Sequence, residues 1–237
     1  MFLKRTVPDA PSTDKKLGGI AFLLSLLFLT LLAAINLEQL PNIWNEQSAQ
    51  RLGYLLMGLI PGVAFALFIL RGKYSVLLHE FKHSIVSGLA GNKWKSMKID
   101  DASGSFTYAY SKRSAAFNAF ISLAPYWFPL GLIISLIVGA MFWRQDPFGL
   151  LFVLGIGIGI DLVLNIRDIS PYQTDFKVIR GGFTTGFWYV VAMNVVLYTF
   201  VLAWAFAGTQ GLLMLVSELW RLVHALVEYF RAKKSLA

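Results

Sequence analysis

The chain has 237 residues, of which 57% are apolar and only 14% charged, with a mean hydropathy of +0.62. A soluble domain runs nearer half apolar and a quarter charged, so a soluble globular protein, a disordered chain and a nucleic-acid module are excluded, and the formal charge of +8 points to the basic cytoplasmic loops of a polytopic membrane protein. The absence of cysteine removes disulfides and thiolate metal sites.

Residues 17–37 carry no charge over 21 positions, enough for one helix across a hydrocarbon core of about 30 Å. Lys4, Arg5, Lys15 and Lys16 precede them. The following AINLEQL offers no clear small-x-small cleavage site, so the segment reads as a retained helix. Residues 52–70 form a second helix, with Pro61 inside it, and complete a two-helix hairpin over 17–70. Residues 74–90 are apolar but interrupted by His79, Glu80, Lys82 and His83, and Lys82 is expected on the solvated or snorkelling side of that helix. In the polar stretch 91–113, Phe106, Tyr108 and Tyr110 alternate with Ser105, Thr107 and Ala109. That period of two predicts a strand, with 94–99 as its partner and turn residues at Asp100 to Gly104.

Residues 114–143 are uncharged for 30 positions but broken by Pro125 and Pro129, which predicts a kinked helix or a helix with a re-entrant part. Residues 148–166 form another apolar run, with Asp161 and Asn165 inside it; 167–186 read as a polar loop and 187–207 as a further span. A last helix over 212–230 carries Glu218, Arg221, His224 and Glu228 on one face, and either spans or lies in the interface. Gly155, Gly157 and Gly159 suit close helix packing better than phosphate binding, since no Walker motif accompanies them. The fold class expected is an all-α polytopic membrane protein with five to six transmembrane helices and a small β-hairpin: one domain over 1–237, with its core at 74–207 and a C-terminal helix at 212–230. With the N-terminus in the cytoplasm and 74–90 not fully crossing, 17 of the 21 basic residues fall in cytoplasmic segments and two, Arg51 and Arg144, in outer loops.

The chemistry is concentrated in His79-Glu80-Phe81-Lys82-His83, an H-E-x-x-H sequence. On a helix, positions i and i+4 share a face, so both imidazoles can bind one Zn²⁺ while Glu80 takes a proton from the water that zinc activates. With three histidines and five glutamates in the whole chain, chance produces the pattern roughly once in a thousand such sequences. An ionisable cluster in an apolar helix is also costly and functional by default. A catalytic zinc takes a third protein ligand and keeps one open position. Asp9, Asp14, Glu38 and Glu46 lie in the N-terminal part, Asp100 and Asp101 in the hairpin turn and Asp146 in an outer loop, which leaves Asp161, Asp168, Asp175, Glu218, Glu228 and His224. Asp161, Asn165 and Asp168 are spaced i, i+4, i+7 and share a helical face, either a polar wall of the site or a hydrogen-bonding seam between helices.

Over residues 74–185 the chain resembles the site-2-protease-like intramembrane zinc metalloproteases: an H-E-x-x-H helix, a polar hairpin, then a distant N-x-x-P…D-G-type segment. Here that segment is Asn165-Ile166-Arg167-Asp168-Ile169-Ser170-Pro171-Tyr172-Gln173-Thr174-Asp175-Phe176. It departs from the family pattern at Phe176, where glycine is usual, and at Asp168, where proline is usual. The resemblance implies one zinc per chain held by His79, His83 and Asp175, with Glu80 as general base and Asn165 positioning substrate. Asp161 and Asp168 remain alternative ligands. It also implies a membrane protein or peptide as substrate, a bacterial-type inner (plasma) membrane as setting, and a hairpin that holds substrate extended by β-addition; no nucleic-acid partner is expected. The competing readings are an inactive zinc-binding membrane scaffold and an ion-coupled transporter with an intramembrane His/Asp path.

Overall fold

The computed structural model describes Leu27 and residues 46–101, 103–111, 114–142 and 147–235. The expected first helix, 17–37, lies outside these residues except for Leu27. Helix α1 (Glu46–Phe68) accommodates Pro61 without interruption. Gly72, at φ +52°, turns the chain into α2 (Lys73–Leu89). Its 17 residues span about 25 Å, less than a full hydrocarbon core. Gly91, at φ +77°, then reverses the chain. The expected hairpin follows as β1 (Lys93–Ile99) and β2 (Gly104–Ala109), antiparallel from Lys93 opposite Ala109 to Ile99 opposite Gly104, with a bulge between Trp94 and Ser96. Phe106 is the one buried residue of β2 and stacks on Tyr108.

After a 3₁₀ turn at Ser114–Phe117, the uncharged stretch is broken as its prolines predict, into α3 (Asn118–Trp127) and α4 (Leu130–Phe142), bent 65° from one another. Pro125 stays inside α3 and Pro129 sits in the break. A proline in a helix interior removes an N–H and typically costs about 3 kcal/mol, so such a segment persists only where its surroundings compensate. Helix α5 (Pro147–Asp168) leads to a single turn, α6 (Thr174–Lys177), within the segment read as a loop. Helix α7 (Gly182–Ser235) covers both late apolar runs and is interrupted at Gly208 (φ 61°, ψ −145°). Beyond Gly208 the chain folds back, so that Leu215 packs against Val195, Val196 and Phe200 of the preceding arm.

Among the described residues, three helices are long and apolar enough to cross a membrane, in α1, α5 and α7, or four if the bent α3–α4 pair counts as one span. The expected five to six spans are thus met only in part.

The bundle is organised around α5, whose widest interface is with α1. Gly58 and Gly62 of α1 face Phe152 and Ile156 of α5, while Gly155 and Gly159 of α5 face Leu55 and Leu59 of α1. At all four positions a Cβ would overlap the opposing main chain, so the two backbones are in direct contact, as small residues four apart allow. Gly157 does the same on the opposite side, against Gly131 and Ser135 of α4. These glycines therefore pack helices, as their setting in the sequence suggests. Gly155→Val should destabilise the detergent-solubilised protein by at least the roughly 1–3 kcal/mol typical of overpacking, read as a lower thermal unfolding temperature. Gly53→Ala in α1, where a Cβ meets nothing within 4 Å, should leave it unchanged or raise it.

Candidate metal centre

The two histidines lie one helical turn apart on α2, with ring centroids 5.1 Å apart. Each ring is held from behind. His79 Nδ1 lies 3.1 Å from Asp168 Oδ2, and His83 Nδ1 donates to the Ile121 carbonyl at 2.6 Å. Both partners are acceptors, so Nδ1 carries a hydrogen in each ring, and in a neutral ring Nε2 then presents a lone pair. The two Nε2 atoms point at one oxygen, Asp175 Oδ2, at 3.2 Å from His79 and 3.5 Å from His83. One ligand atom from each of the three residues lies within 4.8 Å of the others, and the group could hold a metal ion. Tetrahedral bonds of about 2.0–2.1 Å set ligand atoms about 3.3 Å apart, which matches both separations from Asp175. A carboxylate and a carbonyl behind the rings are also the usual partners that orient metal-ligating histidines.

Asp175 reaches the histidines because α6 is anchored by its neighbour. Gln173 is extended (φ −64°, ψ 132°), the turn begins at Thr174, and Phe176 is fully buried, 4.7 Å from the Tyr126 ring and 5.1 Å from Phe183. Phe176 fills the space left by Gly186, where a Cβ would sit 2.7 Å from its ring. Phe176 is thus the residue that seats the carboxylate. Tyr126 also donates its hydroxyl to Asp175 Oδ2 at 3.0 Å.

The other acidic candidates are placed elsewhere. Asp168 supports His79 from the side away from Asp175. Asp161, fully buried, accepts the N–H groups of Gly131 and Leu132 at 3.0 and 2.8 Å, and so caps the first turn of α4 from a neighbouring helix. Asp161 does not join the metal group. The face shared by Asp161, Asn165 and Asp168 is therefore divided: its first two residues form an internal seam and its last one supports the site. Glu218 and Glu228 pair with Arg221 and Arg231 on an exposed arm of α7, and His224 is exposed there as well.

Lys82 overturns the expectation of a solvated side chain. It is 1% exposed, donates to Asn165 Oδ1 at 2.9 Å and to the Pro125 carbonyl at 3.3 Å, and lies 3.4 Å from Asp161 Oδ1. Helix α2 is enclosed by α3 and α5 on the face where 82 falls, and Asp161 compensates the buried charge. Asn165 thus engages Lys82, and through its amide also Asn194, which in turn donates to the Tyr126 carbonyl. Tyr126 and Asn194 escaped the sequence reading. The available signal was a polar side chain inside an apolar run, which is costly unless partnered.

Glu80 is 4% exposed and lies beneath the start of β2, where a Cβ on Gly104 would come 2.6 Å from its Cγ. A cavity of about 10 Å³, room for about one water, is lined by His79, Lys82 and Asp168 among others. Ser75 lines both this cavity and an open cleft of about 550 Å³ that contains Arg71, Asp101 and Arg167.

No protein-family model, curated protein or solved structure matches the chain.

The purified protein should bind one divalent metal ion per chain, read by elemental mass spectrometry. His79→Ala, His83→Ala and Asp175→Ala should each lose it; Asp168→Asn should weaken it by about 10–100-fold, and Asp161→Asn should retain it. Lys82→Met should destabilise the fold by about 3–5 kcal/mol, because it leaves a buried charge uncompensated. Adding Asp161→Asn should recover much of that loss in the same unfolding assay.

Proposed function

We propose that the chain is a zinc-dependent endopeptidase set in a membrane, which hydrolyses peptide bonds of membrane-associated polypeptides. The observation that carries this reading is the convergence of His79 Nε2, His83 Nε2 and Asp175 Oδ2 at separations of 3.2 and 3.5 Å, beside a buried glutamate on the same helix. Two imidazole nitrogens and one carboxylate oxygen, with no fourth such side chain in the group among the described residues, are the donor set of a catalytic rather than a structural zinc. When bound there, zinc supplies a Lewis acid that polarises a scissile carbonyl and lowers the pKa of water to about 7.

The chain's own residues supply the remainder. Glu80 takes one proton from the attacking water as its oxygen bonds to the carbonyl carbon, and returns that proton to the leaving amine as the C–N bond breaks. Asp168 and the Ile121 carbonyl keep both rings oriented throughout. Tyr126 holds the Asp175 carboxylate by its hydroxyl. Helical peptide bonds are shielded by their own hydrogen bonds, so a substrate must be presented extended. Strand β2 begins at Gly104, directly over Glu80, and offers a surface for strand addition next to the reacting groups. The open cleft reaches Ser75, one helical turn before His79, and gives a polypeptide a route from that side. The pairing of Asp161 with Lys82 favours this reading over an ion path, since the charge inside α5 is already matched within the fold.

The test is Glu80→Gln, nearly isosteric but unable to act as a base. It should keep zinc at wild-type stoichiometry and abolish fragment formation from a single-span reporter reconstituted with the enzyme, followed by mass spectrometry. Cleavage at the wild-type rate in this variant rules out the mechanism. Zinc binding with no cleavage by the wild type across a set of such reporters would favour a zinc-holding scaffold.

A further inference from the structure

Pro125 and Pro129 stand four residues apart in the segment that lies across α2. In an α-helix the carbonyl of residue i accepts from the N–H of residue i+4. Proline has no N–H, so each proline releases the carbonyl four positions before it. The released carbonyls are those of Ile121 and Pro125. Both are taken by side chains of α2: His83 Nδ1 donates to Ile121 at 2.6 Å, and Lys82 Nζ donates to Pro125 at 3.3 Å. A third carbonyl, that of Tyr126, loses its helical partner because the Leu130 N–H turns to Phe128, and it accepts from Asn194 at 2.9 Å. These three gaps in the α3 ladder are thus filled by polar side chains of neighbouring helices.

We infer that Pro125 is a positioning residue of the metal centre: by lacking an N–H it frees the Ile121 carbonyl to hold His83 Nδ1–H, which fixes the ring so that Nε2 faces Asp175. The inference rests on the metal site proposed above and deepens it. It assigns a role to a residue that touches neither metal nor substrate and that belongs to no H-E-x-x-H or N…P…D motif. The bland account of Pro125 is a kink that helps α3 leave the bundle axis. The two accounts differ in what matters at position 125: the missing hydrogen or the ring.

The apolar surroundings of His83 also explain why the acceptor is a backbone carbonyl. His83 is 2% exposed, in an apolar region formed by Ile121, Ala124 and Val86, and its Nδ1 meets a carbonyl where that of His79 meets the Asp168 carboxylate. A freed carbonyl is an acceptor that adds no charge to this apolar contact. With an N–H restored at 125, the Ile121 oxygen returns to the helix ladder, and His83 must share it or turn.

The test uses the full-length chain in detergent, with ¹⁵N-labelled histidine and zinc as the probe. Pro125→Ala should weaken zinc by about 10–100-fold in chelator competition, the usual loss when the group orienting a metal-ligating histidine is removed. It should also shift the His83 ¹⁵N resonances away from the Nδ1–H pattern, while those of His79 stay in place. The deciding variant carries the same methyl side chain at 125 with an ester oxygen in place of the N–H, introduced by nonsense suppression of the α-hydroxy acid. It should recover most of the zinc affinity and the wild-type His83 signals. Zinc affinity within twofold of wild type in Pro125→Ala, with unchanged His83 resonances, overturns the inference. So does an ester variant as weak as Pro125→Ala, since the ring would then be what matters. If the wild type takes up no zinc, the proposed function fails, and the His83 resonances of the metal-free variants still decide the role of Pro125.

Discussion

Two imidazole Nε2 atoms and a carboxylate are aimed at one point, as a cation among them would require, and the surrounding structure is arranged to keep them so aimed. Left to itself, an imidazole beside a carboxylate turns its N–H towards it. Here each ring has an Nδ1–H committed on the far side, that of His79 to the Asp168 carboxylate and that of His83 to the Ile121 carbonyl, which leaves both Nε2 atoms turned towards Asp175. That requirement reaches through three elements. The end of α5 must come close enough to set Asp168 behind His79, α3 must pass with an open carbonyl, and α6 must press Asp175 inward on the anchor of Phe176.

Charge is separated into two nearly independent groups. Lys82 and Asp161 neutralise one another in a fully enclosed position, and the spare acceptor capacity of Asp161 is used by the main-chain N–H groups that open α4. This buried pair is weak support for stability in itself, since its desolvation cost is of the order of its attraction. Its contribution is geometric. It ties α2, the α3–α4 break and α5 together at one level, next to the metal group but without sharing a carboxylate with it. The charge of Asp175 is thus left to face the metal position, and that of Asp168 to back the His79 ring.

Much of this was legible in the sequence, and the reason differs from residue to residue. His79, Glu80 and His83 are local in the chain, and helical spacing alone places both imidazoles on one face. The hairpin showed itself by the alternation around Phe106, and the broken helix by its two prolines. Asp175 was reached only by resemblance, because its approach depends on a turn whose anchor, Phe176, contacts residues remote in sequence. Asp161, Asn165 and Asp168 were correctly grouped on one face, but a face does not specify which neighbour it meets, so the division of their roles could not be read from spacing. Lys82 was misread for a related reason: a lone lysine among apolar residues is usually found at a surface, and its partner lies 79 positions further along the chain.

The direct backbone contact between α1 and α5 has a consequence for metrology. Interlocked glycines leave no slack along the helix axis, so Gly155 and Gly159 act as a zero mark from which the rest of α5 is measured. Asp168 stands nine residues beyond Gly159, an axial distance of about 13–14 Å, and its azimuth follows at 3.6 residues per turn. One residue added or removed between the mark and the end of the helix would displace Asp161, Asn165 and Asp168, or those of them beyond the change, by roughly 100° around the axis. Lys82 and His79 would lose their partners while every apolar contact of the α1–α5 seam stayed intact. The part of the molecule that holds no chemistry is therefore the ruler for the part that does, and the length of α5 is as constrained as the identity of any residue in the site.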